Sequence, residues 1–217
     1  MPARVPIAQI IQADANAWLE ANPAAAHSSI ITSLPDVSEL PELGLSGWRD
    51  WFIDSARRVI AWLPETGVAI FYQSDIRHRG AWIDKSHLVL SAMDAQGAQL
   101  LWHTIVCRRP AGSLTMGRAS YSHMLCVSRS SQRARAWAGP HVLPDAGPSS
   151  WSRGMGQHAC ELACRYLQRA TDTRLVLDPF CGHGAVLRAA NALGFDVIGI
   201  DVSSRRCRTA RRALMRT

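Results

Sequence analysis

Glycines and carboxylates in the last quarter of the chain have the spacing of a nucleotide-binding crevice. The apolar stretch Leu175–Asp178 runs into a turn that contains Gly182 and Gly184, and a second apolar stretch ends at Asp201. Glycines let a ligand approach the backbone closely, and a carboxylate at the end of the neighbouring strand can accept hydrogen bonds from both ribose hydroxyls. The spacing therefore predicts that a ligand with a nucleoside part binds at the carboxyl ends of parallel strands.

Asp178 distinguishes this turn from the dinucleotide fingerprint. That fingerprint needs a third glycine, which this turn lacks, and has no acid at the position of Asp178. An anionic Asp178 facing the crevice would repel a pyrophosphate and would suit a ligand that carries an ammonium and a sulfonium. An NAD-type or other nucleotide-binding fold is the alternative.

Short apolar stretches alternate with amphipathic stretches along the chain, a pattern typical of an α/β sheet. Seven strands are predicted, at residues 7–12, 29–33, 67–73, 98–108, 121–128, 175–178 and 195–201. Helices are predicted at 14–20, 48–63, 84–96, 151–169 and 185–193, and from 203 to the end. We expect a Rossmann-like, seven-stranded, mostly parallel sheet with helices on both faces, in which the last hairpin strand is antiparallel.

The composition limits the class of protein. The chain has 217 residues, of which 47% are hydrophobic and 19% charged, which suits one packed domain and is too little charge for a disordered chain. No apolar run is long enough to span a membrane, and the amino terminus has no secretory signal. We therefore expect a cytoplasmic protein.

The charge balance favours a polyanionic partner. The net charge is +7, and Lys85 is the sole lysine among 24 basic residues. Guanidinium groups bind phosphates and stack on bases, so the excess of arginine suits nucleic acid. A genome that encodes arginine in place of lysine explains the same excess equally well.

The six cysteines form no Cys-x-x-Cys pair, and we expect free thiols. The sequence offers no convincing set of metal ligands, and no metal is expected.

A resemblance gives these patterns a function. The run Asp-Pro-Phe-Cys-Gly-His-Gly at 178–184, the alanine-rich helix after it and Gly-Ile-Asp at 199–201 resemble the cofactor half of class I S-adenosylmethionine methyltransferases. The most similar branch acts on amino groups of nucleic-acid bases. The resemblance implies an enzyme with S-adenosyl-L-methionine as its cofactor. It implies that Asp178, Pro179, Phe180, Cys181, Gly182 and Gly184 hold the methionine part, Asp201 the ribose and Asp14 the adenine edge, with Trp151 as a wall or as plain core.

The order of the motifs implies a circular permutation. The usual methyltransferase begins with the glycine loop, whereas here only residues 202–217 follow Asp201, too few for the remaining strands. The resemblance therefore implies the permuted order of the β-group of DNA amino-methyltransferases, because permutation moves the chain ends without altering the sheet. In a single domain 1–217, residues 1–128 would be the catalytic and substrate half, 129–150 a connection and 151–217 the cofactor half.

The turn Ser33-Leu34-Pro35-Asp36 resembles the family's catalytic motif, which is Asp, Asn or Ser followed by Pro-Pro and an aromatic residue. In relatives the first residue and a backbone carbonyl accept hydrogen bonds from the target amine, and the aromatic ring stacks on the extruded base. Here Leu34 replaces the first proline and Asp36 replaces the aromatic residue. Ser33 can still accept such a bond. Asp36 could accept a proton or hold the amine, or could only cap the following loop.

Five arginines are expected in loops on the face that carries this turn. They are Arg77, Arg79, Arg108, Arg109 and Arg118. We predict that they bind substrate phosphates, and ordinary solvated loops are the alternative.

A short connection favours RNA over DNA as the substrate. Permuted DNA methyltransferases carry a sizeable recognition region before the cofactor half, where this chain has only 129–150. A structured RNA with an exposed base suits a minimal domain better. We expect N-methylation of a base amine in tRNA or rRNA, with DNA adenine N6 or cytosine N4 as the alternative. A non-catalytic S-adenosylmethionine-binding protein, or an enzyme for a small molecule or protein, is also open. A homodimer or a separate subunit could supply recognition.

Overall fold

One large sheet runs through the chain in this computed structural model, which describes residues 5–130, 137–151 and 154–215. The strands are β1 (Ala8–Gln12), β2 (Ser28–Thr32), β3 (Val68–Gln73), β4 (Ile76–His78), β5 (Ala81–Ile83), β6 (Gln99–Cys107), β7 (Tyr121–Ser128), β8 (Val142–Leu143), β9 (Leu175–Asp178) and β10 (Asp196–Asp201). The helices are α1 (Ala15–Ala21), α2 (Gly44–Trp62), α3 (Lys85–Ala95), α4 (Gln157–Ala170), α5 (Ala185–Ala192) and α6 (Ser204–Leu214). No helix of the described ranges is long and apolar enough to cross a membrane.

The strand order of the large sheet is β1-β10-β9-β2-β3-β7-β6-β8. Strands β1, β10, β9, β2 and β3 are mutually parallel, whereas β7 runs antiparallel to both β3 and β6. The last two strands of the chain, β9 and β10, therefore lie between the first two, β1 and β2. The expected α/β fold and the antiparallel strand of the hairpin are confirmed.

The sheet has eight strands in the described chain, so the predicted count of seven is wrong. The added strand β8 has two residues and pairs in parallel with β6, inside the segment expected to be an irregular connection. A two-residue strand is too short to show an alternating pattern. Strands β4 and β5, which are not among the seven predicted strands, form a separate two-stranded hairpin.

Helices cover both faces of the sheet, which accounts for the nearly continuous apolar runs in its strands. On one face α4, α5 and α6 pack on residues such as Ile31 and Ile70. On the other face α1, α2 and α3 pack on their neighbours Ile30 and Phe71. Because successive strand side chains point to opposite faces, β2 is buried along its whole length.

Two predicted helix boundaries differ from the structure. Helix α4 begins at Gln157 rather than at 151, because Gly156 is its N-cap and Gly154 precedes it. Trp151 therefore lies in a loop, and the predicted first turn includes positions 152–153, which lie outside the described residues. Helix α2 begins at Gly44, after two short 3-10 turns at Val37–Glu39 and Pro41–Leu43.

Candidate active site

A cavity opens at the carboxyl ends of β2, β9 and β10, where the two ends of the chain meet. Most of the predicted site residues line it: Asp14, Ser33, Leu34, Pro35, Asp36, Arg108, Trp151, Asp178, Pro179, Phe180, Cys181, Gly182 and Asp201. Carboxyl ends of parallel strands lie at one edge of a sheet, so the interleaved strand order brings these distant residues together.

Gly184 lies next to the cavity but does not line it. It caps the amino end of α5 with a φ of +78°, and a Cβ there would lie 3.0 Å from the Cβ of Ala210 in α6. The structure thus gives Gly184 a packing role between two helices. The predicted role of Gly184 in holding the cofactor stays a prediction.

Four of the five arginines predicted to bind substrate lie outside the cavity lining. They are Arg77 in β4, Arg79 in the turn after it, and Arg109 and Arg118 in the loop between β6 and β7, and all four are exposed. Arg108 lines the cavity and donates a hydrogen bond from Nη1 to Ser74 Oγ at 3.1 Å. Of the five predicted arginines, Arg108 is thus the one that contributes to the lining of the cavity.

Asp178 is a buried acid of the cavity, with 4% of its surface exposed. Its Oδ1 accepts hydrogen bonds from Thr32 Oγ1 at 2.8 Å and from the Phe180 N–H at 3.2 Å. Burial raises the pKa of Asp178 to about 7, although these two hydrogen bonds act in the opposite direction. Such a carboxylate is stabilised by any cation that binds beside it.

Asp201 lies at the end of the neighbouring strand and arranges the glycine loop. Its Oδ2 accepts from the Gly182 N–H at 3.1 Å, and its Oδ1 accepts from the Ser203 N–H at 2.8 Å. Gly182 has a φ of +51°, and a Cβ at this position would have Trp151 as its nearest neighbour, at 3.9 Å. The backbone of the loop is therefore open to the cavity.

Three other predicted cofactor residues also have structural contacts. Asp14 caps α1 by accepting a hydrogen bond from the Ala17 N–H at 2.8 Å. The side chain of Cys181 packs in the core beneath the loop, and burial raises the pKa of its thiol well above the ordinary range. Phe180 makes an edge-on contact with Trp51, with 5.9 Å between the ring centroids.

Trp151, His183, Arg206 and Glu39 form one side of the cavity. The sequence analysis predicted only Trp151 among these four residues. The Trp151 ring lies 5.1 Å from that of His183 and 5.1 Å from the guanidinium carbon of Arg206. Arg206 also donates to Glu39 Oε2 at 2.6 Å. This ion pair joins α6 to the turn after β2, so it ties the two halves of the cavity together.

Lys85 is another cavity residue that the sequence analysis did not predict. Its Nζ donates to Asp36 Oδ1 at 2.6 Å, although only 3% of the residue is exposed. The Asp36 N–H donates to Glu39 Oε1 at 3.3 Å, so Asp36 also begins the first 3-10 turn. The sole lysine of an arginine-rich chain was the signal that could have found this pair.

A polar network lies behind the Lys85 backbone. Asp75 accepts from the Lys85 N–H at 3.0 Å, from Tyr121 Oη at 3.1 Å and from His123 Nε2 at 3.2 Å. The ligand atoms of Asp75, Asp84 and His123 lie within 4.8 Å of one another, close enough to share a cation. The hydrogen bonds above already engage both Asp75 oxygens, and we assign the network to holding β3, β7 and α3 together.

Comparisons with known proteins match part of the chain to a DNA methylase family model and nearly all of it to solved methyltransferase structures. Residues 156–212 match the model of the N6_N4_Mtase family, described as DNA methylase. A comparison with curated protein sequences finds no match.

Solved structures match over nearly the whole chain. A proposed DNA modification methylase from Thermus thermophilus is 17% identical, with a TM-score of 0.75 over 97% of this chain and 95% of that one. The PvuII DNA methyltransferase, which is cytosine-N4-specific, is 16% identical, with a TM-score of 0.75 over 97% and 87%. The M1.HpyAVI protein in complex with S-adenosylmethionine is 15% identical, with a TM-score of 0.67 over 96% and 99%. At these identities the likeness shows the fold.

The residues of the cavity fit S-adenosyl-L-methionine. A buried carboxylate with a raised pKa suits an ammonium, and a glycine backbone open to the cavity allows a close approach. The segment that matches the DNA methylase model contains the whole glycine loop and Asp201. The predictions of a methyltransferase and of S-adenosyl-L-methionine as its cofactor are confirmed.

Proposed function

We propose that this S-adenosyl-L-methionine-dependent methyltransferase methylates an exocyclic amino group of a DNA base, N6 of adenine or N4 of cytosine. One observation carries the proposal: Ser33 and Asp36 line the same cavity as Asp178 and Asp201. A donor site and an acceptor turn in one cavity are what an in-line transfer needs. The match to a DNA methylase model supports DNA over the RNA substrate that the short connection favoured.

We assign the donor side of the cavity to the glycine loop and its neighbours. Asp178 would pair with the ammonium, the backbone from Phe180 to Gly182 would hold the methionine part, and Asp201 would accept from the ribose hydroxyls. When bound, S-adenosyl-L-methionine supplies a methyl group already activated by its sulfonium. The protein then needs to align donor and acceptor more than to activate either.

The acceptor side belongs to the turn after β2. Ser33 Oγ would accept a hydrogen bond from the target N–H, which turns the nitrogen lone pair toward the methyl group. The cofactor would supply its methyl group to this lone pair, so a nitrogen–carbon bond would replace the sulfur–carbon bond and the amine would release its proton to water. The Lys85 ammonium holds Asp36 in place, so Asp36 contributes a fixed carboxylate where relatives have a ring. Leu34 and Pro35 give the turn its shape.

The strand order supports a circularly permuted chain. Strands β9 and β10, which lead into the glycine loop and Asp201, lie side by side between β1 and β2 from the amino terminus. In this arrangement 1–128 supplies the substrate side of a single domain and 151–217 the cofactor side. The connection at 129–150 adds β8 to the edge of the sheet.

Methyl transfer to DNA tests the proposal directly. The protein is incubated with tritium-labelled S-adenosyl-L-methionine and amplified, unmethylated DNA, in parallel with transcribed RNA, and labelled nucleosides are identified by mass spectrometry. We expect N6-methyladenine or N4-methylcytosine from DNA. Cofactor binding without transfer to either nucleic acid would favour a non-catalytic binding protein, and label in RNA alone would restore the RNA substrate.

Substitution of Ser33 tests the acceptor turn. Ser33→Ala removes the hydrogen-bond acceptor but leaves the cofactor side intact, so we expect turnover to fall about 10- to 100-fold while cofactor affinity is unchanged. Ser203→Ala is a matched control, since it removes a hydroxyl near the cavity that only caps α6. Normal turnover by Ser33→Ala would exclude the proposed role of this turn.

A further inference from the structure

The loop between β6 and β7 presents two large apolar side chains to solvent. Leu114 is 100% exposed and Met116 is 97% exposed, with one residue between them. Single exposed apolar side chains are common, but two large ones that are almost fully exposed in one short loop are of the kind that marks a contact with a partner.

Hydrogen bonds within this loop hold the pair outward. The Pro110 carbonyl accepts from the Ser113 N–H at 3.1 Å and from Ser113 Oγ at 2.6 Å. The Arg118 carbonyl accepts from Thr115 Oγ1 at 2.6 Å. Gly112 and Gly117 lie in these two turns with φ values of +81° and +74°. Because the two turns are formed in the free protein, little order would be lost when Leu114 and Met116 contact a partner.

The loop extends from the rim of the proposed active site. Strand β6 ends at Cys107, and the next residue, Arg108, lines the cavity. A bridge between Ile76 and Arg118 joins the loop to the β4–β5 hairpin. In that hairpin Trp82, which is 55% exposed, lies across from Arg77. The apolar pair therefore lies in a loop whose first residue lines the cavity and which also pairs with the neighbouring hairpin.

The charges around the pair match a DNA backbone. Arg109 and Arg118 flank it within the loop, and Arg77 and Arg79 lie in the adjoining hairpin. All four are exposed, and no acid of the loop lies between 108 and 120. Guanidinium groups bind phosphate oxygens, whereas apolar side chains gain most where they replace a base in the stack.

We propose that Leu114 and Met116 form a wedge that enters a DNA duplex beside the target base pair and fills the space left by the extruded base. The surrounding arginines hold the phosphates on either side. The inference rests on the proposed function, because only a base that must leave a duplex needs a wedge. It adds to that function two residues that contact neither the cofactor nor the reacting nitrogen.

The test compares duplex DNA with DNA whose bases are already unstacked. Amplified, unmethylated DNA is used either native or heat-denatured and rapidly cooled, and tritium transfer is measured for the wild-type protein and for Leu114→Ala/Met116→Ala. Unstacking a base costs free energy that the wedge would offset, so we expect the double variant to lose about tenfold or more on duplex DNA. On denatured DNA we expect its activity within about twofold of wild type, because the base is already free.

Two controls separate the loss of the wedge from a general loss of stability or of cofactor binding. Met215→Ala, which removes an apolar side chain that is 78% exposed on the end of α6, should leave both activities unchanged. Cofactor affinity of the double variant should equal that of the wild type. Equal losses on both DNAs, no loss on either, or a wild-type enzyme active only on denatured DNA would overturn the wedge alone. A wild-type enzyme that labels neither DNA would overturn the proposed function and the wedge with it.

Discussion

Asp178 shows how a residue proposed to bind the cofactor can work against the stability of the free protein. Its carboxyl is buried, and burial raises its pKa from 3.8 to about 7. The folded protein therefore prefers the protonated acid more strongly than the unfolded chain does. The contribution of Asp178 to the unfolding free energy is greatest below pH 4 and is lost as the pH rises through 7. An ammonium that binds beside Asp178 reverses this cost.

The first prediction follows from this decrease of the unfolding free energy with rising pH. Asp178→Asn keeps an oxygen that can accept from Thr32 but cannot ionise. We expect it to raise the unfolding free energy of the free protein at pH 8 by about 2–4 kcal/mol, and to lose the advantage as the pH falls from 7 to 4. Chemical denaturation of both proteins across this pH range measures the difference.

Cofactor binding should change in the opposite direction. The same Asp178→Asn variant loses the charge that would pair with the ammonium, so we expect affinity for S-adenosyl-L-methionine to fall at least about tenfold. In the wild type, affinity should weaken below pH 7 as Asp178 protonates. Titration calorimetry at pH 6 and pH 8 measures both effects, and a pH-independent affinity would contradict the assignment of Asp178.

Lys85 and Asp36 show why the proposed acceptor turn has a defined shape although it departs from the motif of the family. A compact ammonium on a flexible stem can reach a carboxylate through a gap among apolar side chains, and the Nζ of Lys85 lies 6.0 Å from the centre of the Phe52 ring. Removal of one member of a buried pair leaves the other charge without compensation. The need to pair with the Asp36 carboxylate is a physical reason for a lysine at position 85 in a chain whose other basic side chains are arginines.

At the scale of elements, two glycines in one loop have different structural roles. Gly182 and Gly184 both have positive φ, but a side chain at Gly182 would face the cavity, whereas at Gly184 it would collide with α6. A pattern of two glycines predicts a ligand loop at both positions. Only the packing of α5 against α6 separates the ligand-facing glycine from the structural one.

The second prediction compares alanine at these two positions. Gly184→Ala should lower the unfolding free energy by about 2–3 kcal/mol, because strain at positive φ adds to a steric clash with Ala210. Gly182→Ala should cost only about 1 kcal/mol of stability, from the backbone strain. Its main effect should be weaker cofactor binding. Equal effects of the two variants on stability would contradict the packing role of Gly184.

At the scale of the whole molecule, the sheet interleaves the ends of the chain. Strand β9 lies between β10 and β2, and β10 lies between β9 and β1, so neither half has a complete core of its own. The ion pair of Arg206 with Glu39 adds a further link between the two sides of the cavity. Loss of either half should therefore remove the support of the other.

The third prediction is that the chain unfolds as one unit which the cofactor stabilises. We expect a single thermal transition, with the same midpoint by far-ultraviolet and near-ultraviolet circular dichroism. S-adenosyl-L-methionine at 100 times its dissociation constant should add about 2.7 kcal/mol to the unfolding free energy. Two separate transitions, with only one shifted by the cofactor, would show that the halves fold independently.

The sequence by itself determined the α/β class, the glycine loop and the position of Asp201, because hydrophobic period, glycine spacing and strand-end acids are local signals. It also placed Ser33 to Asp36 at the end of a strand. It missed β8, which is too short to show a period, and it extended α4 too far toward its amino end. Only the tertiary structure decided that Lys85 holds Asp36, that Arg206 joins Glu39, and that Gly184 packs against α6. These contacts join residues from 26 to 167 positions apart, and no local pattern records which distant side chains the packing of helices on the sheet will bring together.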